Sequence, residues 1–288
     1  MRTNYKIDTV VEDVYKMMED KEYVGDDKYL KKIADRVGVE VSEAIVNALS
    51  PREEHNRLRM SGIGRCERAQ WYGIKGYDSE QPAGSVYITF LQGHIMEAIL
   101  LGLVELSGHT VEGQQGKHTL EGVNGSQDCI IDGELVDVKT ASAWSYDKKF
   151  APDGIKDDAF GYIKQLSAYG KSDDRDSAYF LVFNKNKSTL KLSKQKLEKD
   201  IDKHIIQLKD KMELGTPPMR LADATKTVNH NAGGSSTQLN MKCAFCSYKE
   251  SCFDKIDTIT TSNGFTNYYD GEYQGPGSNF ANKKSGNY

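Results

Sequence analysis

A mixed α/β core flanked by helices is the fold class the sequence predicts, on three observations. A strongly apolar helical stretch covers residues 86–106, and a hairpin signature follows at 127–139. A second helix, two strands and a long amphipathic helix come next. The order helix, hairpin, helix, strands, helix is that of a mixed sheet covered by helices.

Residues 1–60 read as helical. Leu30, Ile33, Ala34 and Val37 recur at helical spacing, and Ser42 stands where it can cap a second helix running through Leu49. Residues 61–83 are irregular, Gly-rich at the start, and carry Cys66, Trp71 and Tyr72. Short strands are expected near 109–113 and 117–121. A helix near 158–169 is expected to end at Gly170. A strand at 177–183, a turn over Asn184–Lys187 and a strand at 188–192 follow. Leu197, Ile201, Ile205, Leu208 and Met212 mark an amphipathic helix that runs to Gly215 and is stopped by Pro217-Pro218. Residues 222–240 look like a loop. From 257 the chain is rich in Gly, Asn, Ser and Tyr, which predicts a disordered tail. The expected organisation is therefore a helical region over 1–60, a core over 61–256 and a tail over 257–288.

With 38% apolar and 28% charged residues among 288, the composition is that of a globular chain with ample core. The start, MRTNYKIDTV, lacks an apolar signal-peptide region. The stretch Ile95–Val104 is too short to span a bilayer and contains Glu97. A cytoplasmic protein with no membrane partner is expected. A net charge of −4 gives no global positive field, so any nucleic-acid footprint must be local. The Lys-rich stretch Lys185–Lys211 is one candidate for it. No Gly-x-x-x-x-Gly-Lys-Ser/Thr loop for ATP is present.

The segment QDCIIDGELVDVK is the most informative in the chain. Asp132-Gly133 between two apolar runs signals a two-residue hairpin turn. Counting outward, Ile131 faces Glu134, Ile130 faces Leu135, Cys129 faces Val136 and Asp128 faces Asp137. Alternation then places Asp128, Ile130, Leu135, Asp137 and Lys139 on one side of the ribbon. Opposed residues have Cβ atoms about 5 Å apart, where like charges repel. A divalent cation resolves that conflict, because two carboxylates supply the hard oxygen ligands that Mg²⁺ or Mn²⁺ prefers. Such an ion polarises a phosphoryl oxygen and acidifies a bound water, as phosphodiester hydrolysis requires. Lys139 projects the same way and could orient that water or stabilise developing charge. The competing explanation is a solvated hairpin on which Lys139 neutralises two acids.

On the apolar helix, His94, Glu97 and Glu105 form a narrow polar stripe, facing either solvent or an internal polar site. His94 taken alone reads as structural. Gln165 and Tyr169 lie one helical turn apart and share a face, from which they could bind DNA phosphate or steady the carboxylates. Cys243-x-x-Cys246-x5-Cys252 supplies three thiolates able to hold zinc or an iron–sulfur cluster, and a fourth ligand is needed. Cys129, on the ribbon face away from the aspartates, reads as a core residue, which leaves Cys66.

In this order Gly93-x-x-x-Glu97, Gly125-Ser-Gln-Asp128, Asp137-Val-Lys139-Thr140 and Gln165-x-x-x-Tyr169 resemble the motif set of the PD-(D/E)XK nucleases over roughly residues 60–255. The Gln-x-x-x-Tyr element is similar to that of their RecB-like branch. The resemblance implies a restriction-endonuclease-like core and a catalytic set of Asp128, Asp137 and Lys139, with Glu97 as a further metal ligand and Gln165 and Tyr169 in support. Members with an iron–sulfur cluster often carry His where Glu97 stands, and many carry Glu where Asp137 stands. One Cys upstream and three downstream also resemble the iron–sulfur RecB-like nucleases, among them AddB-type subunits and CRISPR-associated exonucleases. That likeness implies a structural 4Fe–4S cluster on Cys66, Cys243, Cys246 and Cys252, with zinc as the chemical rival.

The implied activity is a Mg²⁺- or Mn²⁺-dependent DNA exonuclease in recombination, repair or replication, with a recombination or replication protein as the candidate partner; a compact chain without a motor suits a phage-encoded enzyme. A structure-specific or restriction-type endonuclease on the same core is the enzymatic alternative. A non-catalytic metal-cluster DNA-binding protein is the alternative from another class.

Overall fold

The computed structural model describes residues 5–51, 56–156, 158–231, 233–262, 264 and 266–275. The helices are α1 (Val10–Asp20), α2 (Asp27–Leu49), α3 (Glu67–Ile74), α4 (Gly84–Leu106), α5 (Ala143–Lys148), α6 (Tyr162–Ser172), α7 (Ile201–Glu213), α8 (Met241–Ala244) and α9 (Lys249–Cys252). The strands are β1 (Val111–Glu112), β2 (Lys117–Leu120), β3 (Val123–Ser126), β4 (Cys129–Ile131), β5 (Glu134–Ala141), β6 (Phe150–Ala151), β7 (Gly154–Ile155), β8 (Ser177–Asn184), β9 (Thr189–Lys196), β10 (Thr225–Asn229), β11 (Ser235–Leu239), β12 (Ile256–Thr260) and β13 (Thr266–Asp270). The chain divides into two compact units, one of residues 1–54, 58–64 and 82–207 and one of residues 55–57, 65–81 and 208–288.

The first unit is built on a five-stranded sheet in the order β1-β4-β5-β8-β9. Only β5 and β8 are parallel, and the chain crosses between them through α6. This is the mixed sheet with flanking helices that the sequence predicts. One face carries Cys129, Ile131, Val136, Val138, Tyr179 and Leu181, which pack with Val10 and Val14 of α1 and with Leu100, Leu101 and Val104 of α4. In this unit α1 and α2 pack around α4. By length and composition α4 could cross a membrane, but its C-terminal half belongs to this core.

The hairpin has the register read from its sequence, with Cys129 opposite Val136, Ile130 opposite Leu135 and Ile131 opposite Glu134. Asp132 and Gly133 both take positive φ, 50° and 84°, as a type I′ turn requires. The turn is pinned from outside. Asp132 accepts the Thr110 backbone N–H at 2.9 Å and meets the buried His109 ring at 2.6 Å.

Several expectations need correction. No break occurs at Ser42, because α2 runs unbroken from Asp27 with Asp26 as its cap. The segment 61–83 holds a helix, α3. Gly170 does not end α6, which continues to Ser172; a Cβ there would lie 2.1 Å from Leu197, so the glycine permits close packing. Residues 222–240 contain β10 and β11 rather than a loop. The tail expected from 257 begins instead with β12 and β13, while residues 276–288 lie outside the described ones.

The second unit carries a four-stranded antiparallel sheet in the order β10-β11-β13-β12. Its small core gathers Ala224, Leu239, Cys243 and Phe253. Within it, Trp71 of α3 donates its indole N–H to the Leu214 carbonyl at 2.9 Å, and Tyr72 donates to the Ser251 carbonyl at 2.8 Å.

Candidate active site and thiol cluster

Four elements of the first unit converge on one acidic site: α4 with Glu97, the end of β4 with Asp128, β5 with Asp137 and Lys139, and α6 with Gln165 and Tyr169. The ribbon ladder stops at the Cys129–Val136 pair. Asp128 therefore sits just outside it, and its carboxylate accepts the Val138 backbone N–H at 2.8 Å. Its own carbonyl accepts the N–H of Gln115 at 3.1 Å. Asp137 is 2% exposed, and its Oδ2 accepts no well-formed hydrogen bond, although the Lys139 ammonium lies against it as an ion pair.

Lys139 is held from its other side by rings. Its Nζ stands 5.0 Å from the centroid of Tyr162 and 6.0 Å from that of Phe180. Tyr162 was not anticipated, yet it lies on the same helix face as Gln165 and Tyr169, at i, i+3 and i+7. Gln115 was also missed, and nothing in its sequence context marks it; its side chain donates to Glu97 Oε1 at 3.1 Å.

The electrostatics show that these groups feel one another. Burial, and then the charge of Asp137, lifts the Glu97 carboxyl to about 7, against the opposing pull of Lys139 and Gln115. Burial and the charges of Asp137 and Glu97 push Asp128 well above the usual carboxylate range, again opposed by Lys139. Burial alone would lower Lys139, but Asp137 and Asp128 outweigh it and hold the ammonium above its ordinary value. Tyr169 rises to about 12, through burial first and the two aspartates after, opposed by its hydrogen bond with Gln165. With all three acids ionised, one ammonium would leave two negative charges in excess at this site.

Close backbone contacts position α6. A Cβ on Gly161 (φ 74°) would lie 2.2 Å from the carbonyl carbon of Gly64, so only two glycines allow this approach at the helix start. A Cβ on Gly125 would lie 2.6 Å from Met60 and 2.8 Å from the Tyr169 ring. Gly93 of α4 faces Thr140, whose hydroxyl would be 3.8 Å from such a Cβ. The four glycine-bearing and acidic motifs therefore meet in space. His94 is exposed, and Glu105 turns away to pair with Arg36 at 2.7 Å. In the Lys185–Lys211 stretch, Lys191 donates to the Tyr146 and Phe150 carbonyls, and Lys203 pairs with Asp200.

In the second unit Cys66, Cys243, Cys246 and Cys252 line one small cavity with Arg68, Tyr72 and Phe253. Burial, followed by Cys66, Cys246 and Cys252, pushes the Cys243 thiol up to about 12. Burial also raises Cys246; the Tyr248 backbone N–H opposes it, and Cys66 and Cys252 add to the rise. Cys129 is fully buried in the core of the first unit. Among the described residues, no three His, Cys, Asp or Glu side chains stand in positions that could hold a metal ion as placed. In donor type both sites suit a metal, the hard oxygens of three carboxylates in one and four sulfurs in the other. Coordination in either site requires side-chain rotation.

No protein-family model and no curated protein matches the chain. Among solved structures, that of SSO0001 aligns with a TM-score of 0.41 at 12% identity, over 75% of this chain and 95% of the other. LHK-Exo in complex with dAMP aligns with a TM-score of 0.35 at 13% identity, over 60% and 94%. The alkaline exonuclease LHK-Exo from Laribacter hongkongensis aligns with a TM-score of 0.32 at 13% identity, over 53% and 91%. Likenesses this distant leave the site's own geometry as the ground for any function.

Proposed function

We propose that the chain is a divalent-metal-dependent DNA exonuclease of the PD-(D/E)XK type, of its RecB-like branch. The observation that carries this is the gathering of Glu97, Asp128, Asp137 and Lys139 at one buried site with two negative charges in excess if all ionise. Glu97, Asp128 and Asp137 would hold Mg²⁺ or Mn²⁺. When bound, such an ion supplies Lewis-acid stabilisation of phosphoryl charge and acidifies water near neutral pH. Asp128 is fixed for this task by the Val138 N–H, and Glu97 by Gln115. Lys139, braced by the Tyr162 ring, presents an ammonium that neutralises charge building on the phosphoryl oxygens. Gln165 restrains the Tyr169 hydroxyl beside the carboxylates, so both act as positioning residues.

The four thiols of the second unit are assigned to a structural 4Fe–4S cluster, with zinc as the chemical rival. Their support is the single cavity they line. Cluster and zinc differ in colour, since only iron–sulfur absorbs near 400 nm in the visible. Bound zinc without iron would overturn the cluster.

The test of the activity is release of nucleotides from end-labelled linear DNA with Mn²⁺, beside EDTA and beside Asp128→Ala. Hydrolysis that needs the ion and the aspartate supports the proposal. Equal hydrolysis by Asp128→Ala would overturn it, and cutting of covalently closed circles would replace exonuclease by endonuclease.

A further inference from the structure

Two exposed aromatic rings flank the acidic site, one just after β5 and one just before α6. Trp144 stands in α5, directly after β5, and Phe160 lies just before α6. They are 58% and 42% exposed. Single exposed rings are ordinary; these two share one buried cation. The ammonium of Lys149, a residue only 7% exposed, stands 5.6 Å from the Trp144 centroid and 5.3 Å from that of Phe160.

The row continues inward. Phe160 lies 5.7 Å from Tyr162, and Tyr162 carries the Lys139 ammonium at 5.0 Å. An unbroken line Trp144, Lys149, Phe160, Tyr162, Lys139 thus leads from the surface to the acids. Hydrogen bonds anchor the helix that carries Trp144. Ser142 caps α5, the Ala143 N–H donates to Asn186 at 2.8 Å, and the Tyr146 hydroxyl donates to the Leu190 carbonyl at 2.6 Å.

We propose that Trp144 and Phe160 are a stacking platform for unpaired bases, so that the strand entering the site is single-stranded DNA or an unpaired end. This rests on the nuclease proposal for its direction toward Lys139. Exposed ring faces suit unpaired bases, whose stacking on aromatic side chains sequence-independent single-strand binding uses, while the buried Lys149 ammonium holds the two rings together. A duplex offers no such faces, because its bases are stacked on one another.

The test is binding of a short oligothymidylate to the full chain in EDTA, where no hydrolysis interferes. Trp71 is 3% exposed, so quenching of tryptophan emission reports Trp144. Oligothymidylate should quench, and a blunt duplex of equal length should not. By anisotropy of labelled oligothymidylate, Trp144→Ala and Phe160→Ala should each bind about 5- to 100-fold more weakly, and Trp144→Phe should recover most of the loss. Unchanged circular dichroism would exclude misfolding of the variants. Equal affinity of both alanine variants, or equal binding of duplex, would overturn the platform. Ring-dependent binding by a wild type that cannot hydrolyse DNA with Mn²⁺ would instead sink the nuclease proposal and keep the platform.

Discussion

Glu97 offers the most direct test of the charge excess at the site, because its effect appears in stability without any substrate. Its carboxyl is lifted from 4.5 to about 7, by burial first and by Asp137 next. The folded value lies above the unfolded one, so the folded state prefers the protonated acid. The associated stability is fully present below about 4.5 and is lost progressively as pH rises through 7. A shift of that size corresponds to about 3 kcal/mol as an upper limit, since one pKa unit is about 1.4 kcal/mol. For a chain of this size that is a fall of roughly 6–12 °C in Tm between pH 4.5 and pH 8. The measurement is thermal unfolding in EDTA across that range, for wild type and Glu97→Gln. Other groups contribute to both curves, Asp128 in the same direction, and because Glu97 itself raises Asp128 the difference between the curves reports Glu97 together with that coupling. The wild type should lose stability more steeply, and the variant should gain on it above pH 7. Parallel curves would refute the reasoning, for they would mean that Glu97 ionises without cost where it sits.

Saturating Mn²⁺ at pH 8 should raise the wild-type Tm, by about 2.7 kcal/mol in free energy at a hundred times its Kd. Asp128→Asn should remove that response in the same melt. Lys139→Met should lower the hydrolysis rate roughly 100- to 1000-fold in a turnover assay. It should also cost the metal-free protein about 3–5 kcal/mol by denaturant titration, since buried Asp137 loses its ion-pair partner. Cys243→Ser should abolish metal loading by elemental analysis and loosen residues 65–81 and 208–275 first, as read by hydrogen exchange, because a tie between Cys66 and Cys243 closes a loop worth about 4–5 kcal/mol by analogy with a disulfide. Gly161→Ala should destabilise by several kcal/mol and depress activity as well, because the added methyl would displace the start of α6.

The hairpin was legible because its signals are local. A turn with two positive φ values selects Asp-Gly, and strict alternation then fixes which residues share a side. The acidic motifs were legible through their order along the chain. Less visible was β10, whose TKTVN has few apolar residues and only partly buried side chains, so little periodicity reaches the sequence. The same holds for β12 and β13, where Thr, Asn and Tyr resemble tail composition but pair in register. Gly170 was misjudged because a glycine in a helix is read as a stop signal, whereas its contact with Leu197 is a matter of tertiary packing. Gln115 could not be found at all. Its side chain reaches Glu97 only because its backbone is bonded to Asp128, a contact that exists once the sheet has formed.

The departure of Asp128 from the ribbon is the point at which fold and chemistry meet. Had the ladder continued, Asp128 and Asp137 would have stood opposite each other as a non-hydrogen-bonded pair, and the Val138 N–H would have gone to the Gln127 carbonyl. Instead the ladder ends, Gln115 takes the Asp128 carbonyl, and the Val138 N–H is left to the carboxylate. That exchange gives the acid a fixed orientation from β5 itself, next to Asp137 and Lys139. It also ties Gln115, and through it Glu97, to the same hinge of backbone. The anchoring of Asp132 by Thr110 and His109 at the far end keeps the ribbon from slipping to relieve the repulsion. A one-residue slip of β4 would turn Cys129 to the site and Asp128 toward the aliphatic side chains, so the repulsive arrangement survives because the alternative is worse.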